Sequence, residues 1–350
     1  MRKFAILLCL LPLACCTRKV GNTGPLENYA AYFTLVDGGG VVTVSPYDGS
    51  RDTLLIDRPL DNIVCMSSSY IGFLSALKAS GSVSGVSGIA YVSDSTVLAG
   101  YREGRVRDVG YDGAPDYERI LSLHPDLVVT YTVSEGATPF ISRLRSLGLP
   151  VLTVHEHLED HPLARAEYIR LFGALTGRLD RADSIFAEVC RRYDSLSVKA
   201  AEPVKVLMNI PYADQWFIPG GRNYMSRLVR DAGGEVLGSE SESVTSSIIS
   251  VEQALLLSRE ADVWLNTGWC NSRAELLAAN PAFKGFDIPV VANNTLRATP
   301  GGGNDFWESG PVRPDLILGD LRRIFALAGK DNQKADDLKE RPLEYYLIVR

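Results

Sequence analysis

The sequence predicts an α/β protein of two lobes joined by one long helix, and three observations carry that expectation. Short β-branched runs alternate with helix-period stretches over residues 61–178 and again over 203–329, the rhythm of parallel sheets with crossover helices. Between them, from 163 to 201, the pattern is purely helical. A near-duplicate phrase then falls once in each lobe: PDYERILSLHPDLVVTY at 115–131 and SVEQALLLSREADVWLN at 250–266. Each reads as a Glu-led apolar helix, an acidic residue and a strand.

The elements follow in order. Arg2 and Lys3, an apolar run over 4–14 and the pair Cys15-Cys16 resemble a bacterial lipoprotein signal. The run is too short for a bilayer, which needs ~20 residues. The signal is placed at 1–15, with Cys15 (alternatively Cys16) as the lipid anchor. Residues 27–60 hold three short β runs divided by Gly-rich turns, read as an added N-terminal β-element. The first lobe, 61–178, alternates NIVCM, SSYIGFLSALKAS, LVVTY, PFISRLRSLG and PVLTV. Gly177 interrupts the helical stretch, and the linking helix is placed at 179–202. It carries Ala182, Ile185, Phe186, Val189, Cys190, Tyr193 and Leu196 on one stripe, and Pro203 ends it. The second lobe, 203–329, runs from VKVLMNI to PDLILGDLRRIFALAG. The charged segment 330–350 is expected to pack loosely.

Composition narrows the function. Hydrophobic residues make up 46% of the chain, charged residues 22%, and the net charge is −6. There is no Lys/Arg-rich run, so nucleic acid is not an expected partner. Beyond the signal only Cys65, Cys190 and Cys270 remain, which implies no disulfide framework. Cys65 and Cys190 are expected to be small buried hydrophobes.

The phrases VSGIAYVSD, RVRDVG, PDYERILSLHPDLVVTY, RLRSLGLPVLTV, SVEQALLLSREADVW and NDFWESGPVRPDLILGDLRRIF, in this order, resemble the solute-binding proteins of ABC importers. The subgroup is the one for ferric siderophores, haem and cobalamin, and the likeness covers roughly residues 61–327. It implies two Rossmann-like lobes on a single rigid helix, with a ligand cleft between them. It also implies an acidic residue on each lobe for docking the membrane permease and, through it, its ATPase. Those residues are Glu118, which opens the helix before the Pro-Asp-Leu-Val strand, and Glu252 in the Ser-x-Glu-Gln helix start. Paired charges of this kind set orientation and association rate. The spacing from each glutamate to the next acidic residue differs between the lobes, so the repeat is an architectural echo.

In such a fold, ligand sits on loops at the carboxyl ends of strands. Ser67, Ser68, Ser69 and Tyr70 follow the strand NIVCM, where hydroxyls at a helix start suit hydrogen bonding and an anionic group. Helix capping by serine is the plain alternative. Tyr91 and Tyr111 lie on Gly-adjacent loops. Trp216, Trp269 and Trp307 on second-lobe loops suggest a flat apolar ligand face, whereas Trp264 alternates into a strand core. Arg297 offers a planar fork for an oxygen anion. His155, Glu156 and His157 form a weaker candidate for metal ligation, and no resident metal or cofactor is expected. The ligand expected from the resemblance is a metal chelate: a ferric siderophore or similar iron complex, then cobalamin, then haem. A hydrolase using Ser67 and His155 would lack the G-x-S-x-G elbow. An adhesive lipoprotein would need no cleft. The protein is expected to be a monomer without enzymatic activity, tethered to the cell envelope by its lipid only.

Overall fold

The alternating pattern becomes two five-stranded sheets, each with helices on both faces. The computed structural model describes residues 28–36, 38–111, 113–133, 138–329 and 342–350; Cys15 and Cys16 lie outside them. Strands β1 (Phe33–Val36), β2 (Gly40–Val44) and β3 (Arg51–Leu55) form a separate antiparallel sheet. The first lobe contains β4 (Ile63–Cys65), α1 (Ser68–Ala76), β5 (Val83–Val86), α2 (Ser95–Arg102) and β6 (Arg107–Asp108). It continues with the hairpin β7 (Gly110–Tyr111) and β8 (Ala114–Pro115), then α3 (Tyr117–Ser122), β9 (Leu127–Thr130), α4 (Pro139–Ser146) and β10 (Val151–Thr153). Its sheet order is β10-β9-β4-β5-β6, all parallel. β4 and β9 are wholly buried, which is why they read as continuous apolar runs rather than alternating ones.

The helices α5 (Pro162–Leu175) and α6 (Leu179–Leu196) then cross from one lobe to the other. α6 buries Ala182, Phe186, Val189 and Tyr193, and its 18 residues span ~27 Å. It stops at Leu196, short of the expected end. Ser197 turns to an extended conformation, and the Val198 N–H donates to the Asp231 carbonyl (2.8 Å), pulling the chain onto the second lobe.

That lobe contains β11 (Val204–Met208), β12 (Trp216–Ile218), α7 (Tyr224–Asp231), β13 (Gly234–Val236), β14 (Ser247–Ile249), α8 (Val251–Ser258) and β15 (Val263–Leu265). It closes with α9 (Arg273–Ala279), β16 (Val290–Asn293), α10 (Asp305–Glu308), α11 (Pro314–Ala328) and β17 (Leu347–Ile348). The sheet order is β13-β11-β15-β16-β17, parallel except for the last pair. β17 corrects the expectation of a loose tail. Tyr345 and Tyr346 are buried, and Asp320 accepts the N–H groups of Glu344, Tyr345 and Tyr346. The apolar run YYLIV is strand-like in itself; the charged residues before it disguised it.

The added sheet is docked by carboxylates. Glu167 accepts the N–H groups of Tyr29 and Ala30, and Glu159 those of Ala31 and Tyr32. Asp52 on β3 accepts from Arg145 (2.7 Å) and from the Thr153 N–H (3.0 Å). That bond occupies a backbone donor on β10, the edge strand of the first-lobe sheet, and so masks an edge that invites foreign pairing.

Candidate functional site

The echoed phrases form equivalent structures. Asp116 caps α3 through the Arg119 N–H, and Ser250 caps α8 through the Gln253 N–H. Glu118 and Glu252 therefore fall at the same helix position, one residue short of the capped N–H, and neither does the capping. Both are exposed, and no ion pair engages either among the described residues. A hydrogen bond from Ser250 holds the Glu252 carboxyl below its usual range. Glu118 borders a groove of about 580 Å³ shared with Tyr101, Arg107 and Asp116. The second acidic residue of each phrase is structural. Asp126 accepts the N–H groups of Asp61 and Asn62 just before β4, and Asp262 that of Lys205 within β11, in each case at the start of the lobe's first strand. The echo thus consists of one clamp and one spare carboxylate per lobe.

Each sheet has a point where the chain reverses its direction of strand addition, and ligand crevices open there beyond the carboxyl ends of the strands. In the first lobe the point lies between β4 and β9, and Ser67–Tyr70 emerge at it. Tyr70 is buried, with its hydroxyl on the Thr130 carbonyl (3.2 Å); it supports the loop instead of facing a ligand. Ser67 is half-buried and caps no N–H of α1. Its hydroxyl meets that of Ser69 (2.8 Å), which donates to Glu156 (2.8 Å). Ser68 is half-buried beside them.

Glu156 is paired in turn with Arg165 (2.6 Å), whose guanidinium lies 4.0 Å from the Tyr224 ring centroid on the second lobe. Burial pushes the Glu156 carboxyl up, but the adjacent guanidinium outweighs it, and the group titrates below its usual range. Glu156 is therefore an ion-pair partner, and His157 is turned to the Thr132 carbonyl (3.1 Å). Burial, followed by the neighbouring His157, lowers His155 to about 4, which keeps it neutral. Glu156 and His157 engage separate partners, the buried His155 Nδ1 has none, and among the described residues no cluster of His, Cys, Asp and Glu could hold a metal ion.

In the second lobe the reversal lies between β11 and β15. Asn209 and Asn266, at the ends of these strands, take positive φ (69° and 62°), a conformation Asn tolerates better than most residues. The loops beyond them expose Tyr212 (80%) and Trp269 (60%). Trp216, expected on such a loop, instead lies in β12 at 0% exposure. It stacks with Trp264 and Phe286, and its indole N–H donates to the Met208 carbonyl (2.7 Å). The alternation Trp-Phe-Ile, pairing with β14, turns it inward. Tyr212 was missed, although it stands in the same NIPYADQW segment; the signal was its place at a hairpin tip, Tyr212 and Gln215 exchanging backbone hydrogen bonds.

The remaining candidates scatter. Trp307, 47% exposed on α10, borders a small cavity with Pro162, Arg165 and Tyr224, so it joins the Ser67–Glu156–Arg165 group at the lobe junction. Tyr91 is exposed on the loop after β5, beside the 301–302 loop of the other lobe. Tyr111 is exposed on the β7–β8 hairpin past the sheet edge, away from the reversal point. Arg297 is already neutralised by Asp305 (3.1 Å) and Glu344, and it lies over Tyr345.

The lobes meet closely at this junction. A Cβ on Gly72 of α1 would lie 1.8 Å from the Glu308 carbonyl oxygen on α10, so only glycine admits that approach. The Glu308 carboxylate also accepts the Ser93 N–H (2.7 Å), and burial raises its pKa to about 7.

Two α/β lobes on a connecting helix, each with a strand reversal of the kind beyond which ligands bind in such sheets, define a bilobal binding protein. The chain belongs to the family described as Periplasmic binding protein, whose family model matches residues 63–301. It is 25% identical to an uncharacterised lipoprotein of Methanocaldococcus jannaschii over 77% of this chain; the match spans 66% of that relative, just under two thirds of its length. Among solved structures, it resembles a periplasmic heme-binding protein from Pseudomonas aeruginosa (TM-score 0.56, 19% identity, 76% of this chain and 92% of the other). It also resembles an ABC-type Fe3+-hydroxamate transport system protein from Saccharomonospora viridis (TM-score 0.56, 19% identity, 81% and 97%). No described helix is long and apolar enough to cross a membrane.

Proposed function

We propose that this chain is the lipid-anchored solute-binding protein of an ABC importer, capturing a metal chelate and delivering it to a membrane permease. The observation that carries the reading is the contrast of the two crevices inside a bilobal binding-protein fold. One is built on hydroxyls over a buried ion pair; the other exposes two aromatic side chains. A hydroxyl floor on one lobe together with exposed flat aromatic area on the other suits a large, semi-polar ligand better than a bare ion. A ferric siderophore is the first choice, in keeping with the hydroxamate-system neighbour. Haem, bound by the other neighbour, is the second reading. Cobalamin is the remaining alternative within the same architecture.

Ser67, Ser68, Trp269, Trp307 and Tyr212 line the cleft in this reading, with Tyr91 at its rim. Glu118 and Glu252 dock onto cationic residues of the permease, and Cys15 or Cys16 holds the lipid. Metal analysis and the absorption spectrum of protein purified from its native host test the ligand class. Iron without a Soret band indicates a siderophore, a Soret band haem, and cobalt cobalamin. Protein that yields none of these and binds no chelate on titration overturns the proposal.

A further inference from the structure

The hydroxyls at the first-lobe crevice form a chain whose direction is set from its buried end. Glu156 is held as a carboxylate by Arg165, with guanidinium nitrogens 2.6 Å from Oε2. An ionised carboxylate only accepts hydrogen bonds. Ser69 Oγ, buried and 2.8 Å from Glu156 Oε1, must therefore donate its single proton there. Ser67 Oγ lies 2.8 Å from Ser69 Oγ. With the Ser69 proton already committed, that contact forms only if Ser67 donates.

We infer that Ser67 presents lone pairs and no proton to the crevice, so that the part of the ligand seated there is a hydrogen-bond donor: an amide N–H, a hydroxyl or an ammonium. Ser67 has no other hydroxyl proton, and its side chain caps none of the N–H groups of α1. A ligand carboxylate facing this atom meets acceptor against acceptor. The inference reverses the expectation, drawn from sequence, that these serines favour an anionic group. It rests on the cleft reading proposed above, and it supplies a physical basis for choosing among chelates. A carrier bearing amide N–H groups satisfies Ser67; a carrier presenting only carboxylate oxygens does not.

Two variants act in opposite directions. Ser67→Ala removes the acceptor and leaves a ligand donor unpaired, which is expected to weaken binding about tenfold. Ser69→Ala keeps the Glu156–Arg165 pair but frees the Ser67 proton, so an acceptor group gains a partner. The probes are a ferric hydroxamate carrying amide N–H groups and haemin, whose carboxylates only accept, both titrated against the full-length protein. The expected pattern is hydroxamate affinity lowered by Ser67→Ala, and the preference for hydroxamate over haemin reduced by Ser69→Ala. Equal effects of both variants on both probes overturn it. Neutron diffraction from the deuterated, ligand-free protein reads the chain directly. A Ser67 deuteron on the line to Ser69 supports the inference, and one pointing into the crevice overturns it. That map decides even when neither probe binds, a result that would count against the proposed function instead.

Discussion

The two lobes solve the same architectural problem with different materials. At its strand reversal the first lobe builds a polar floor, in which Ser67, Ser69, Glu156 and Arg165 form one hydrogen-bonded line ending on Tyr224. The second builds an apolar base from Trp216, Trp264, Phe283 and Phe286. Both indole N–H groups donate to carbonyls where β11 ends, at Met208 and Asn209. The sheet edges differ as well: a carboxylate from the added sheet masks β10, whereas β17 pairs directly with β16. Tryptophans of one lobe thus hold opposite roles: Trp216 is core beneath the segment whose tip exposes Tyr212, whereas Trp269 stands exposed on the separate loop after β15.

The largest effect is expected where the lobes touch. Gly72→Ala sets a methyl group 1.8 Å from the Glu308 carbonyl oxygen, and both partners are backbone-bound in helices. Ordinary overpacking costs about 1–3 kcal/mol, but a methyl group this close to fixed backbone goes well beyond it, and a loss above ~5 kcal/mol is expected. Chemical denaturation reads the loss, and a variant as stable as the wild type breaks the picture of a fixed junction.

Next comes the division among the tryptophans. Trp216→Ala is expected to cost ~3–5 kcal/mol of stability, the usual range for a buried aromatic. Trp269→Ala is expected to leave stability nearly unchanged while weakening chelate binding ~30-fold if it is a central contact. Calorimetry of unfolding and ligand titration separate the two. Equal loss of stability in both variants would abolish the contrast.

A smaller effect concerns pH. Burial raises the carboxyls of Glu308 and Glu159 to about 7, above their usual 4.5. Each then binds its proton more tightly in the folded state. Its stabilising contribution is full below about pH 4.5 and is lost as pH rises through about 7. Glu308→Gln is expected to flatten part of that decline between pH 5 and 8, on the order of 1 kcal/mol. Denaturation midpoints across that range check the slope; an unchanged slope excludes Glu308 as its source.

The smallest stability change belongs to the echoed glutamates. Glu118→Lys and Glu252→Lys are expected to cost only a few tenths of a kcal/mol, because each carboxylate is exposed near a helix start. Chelate affinity is expected to stay near wild type while uptake by cells falls, since like charges then face each other across the permease contact. Wild-type uptake by the double variant sinks the docking role.

Much of this was legible in sequence because it is local. The period of apolar residues marked β4, β9, α5, α6 and α11, and the echoed phrases placed Glu118 and Glu252 on matching helix starts. The role of their companions was not legible, because Asp126 and Asp262 reach backbone N–H groups at strand starts distant in sequence. Arg297 resembled a free anion fork until the C-terminal segment brought Glu344 to it. Tyr70 stood beside three serines in the chain, yet helix geometry turned it under the loop, onto Thr130.

By itself, then, the sequence determined the two-lobed α/β plan, the connecting helix and the paired glutamates, since each depends on spacing along the chain. Tertiary structure decided which aromatic is core and which is exposed, and that α1 and α10 meet through Gly72. It also decided the direction in which the Ser67 hydroxyl points its proton. Those outcomes depend on partners distant in sequence, and no local pattern encodes a hydrogen bond such as Ser69 to Glu156, whose two ends lie 87 residues apart.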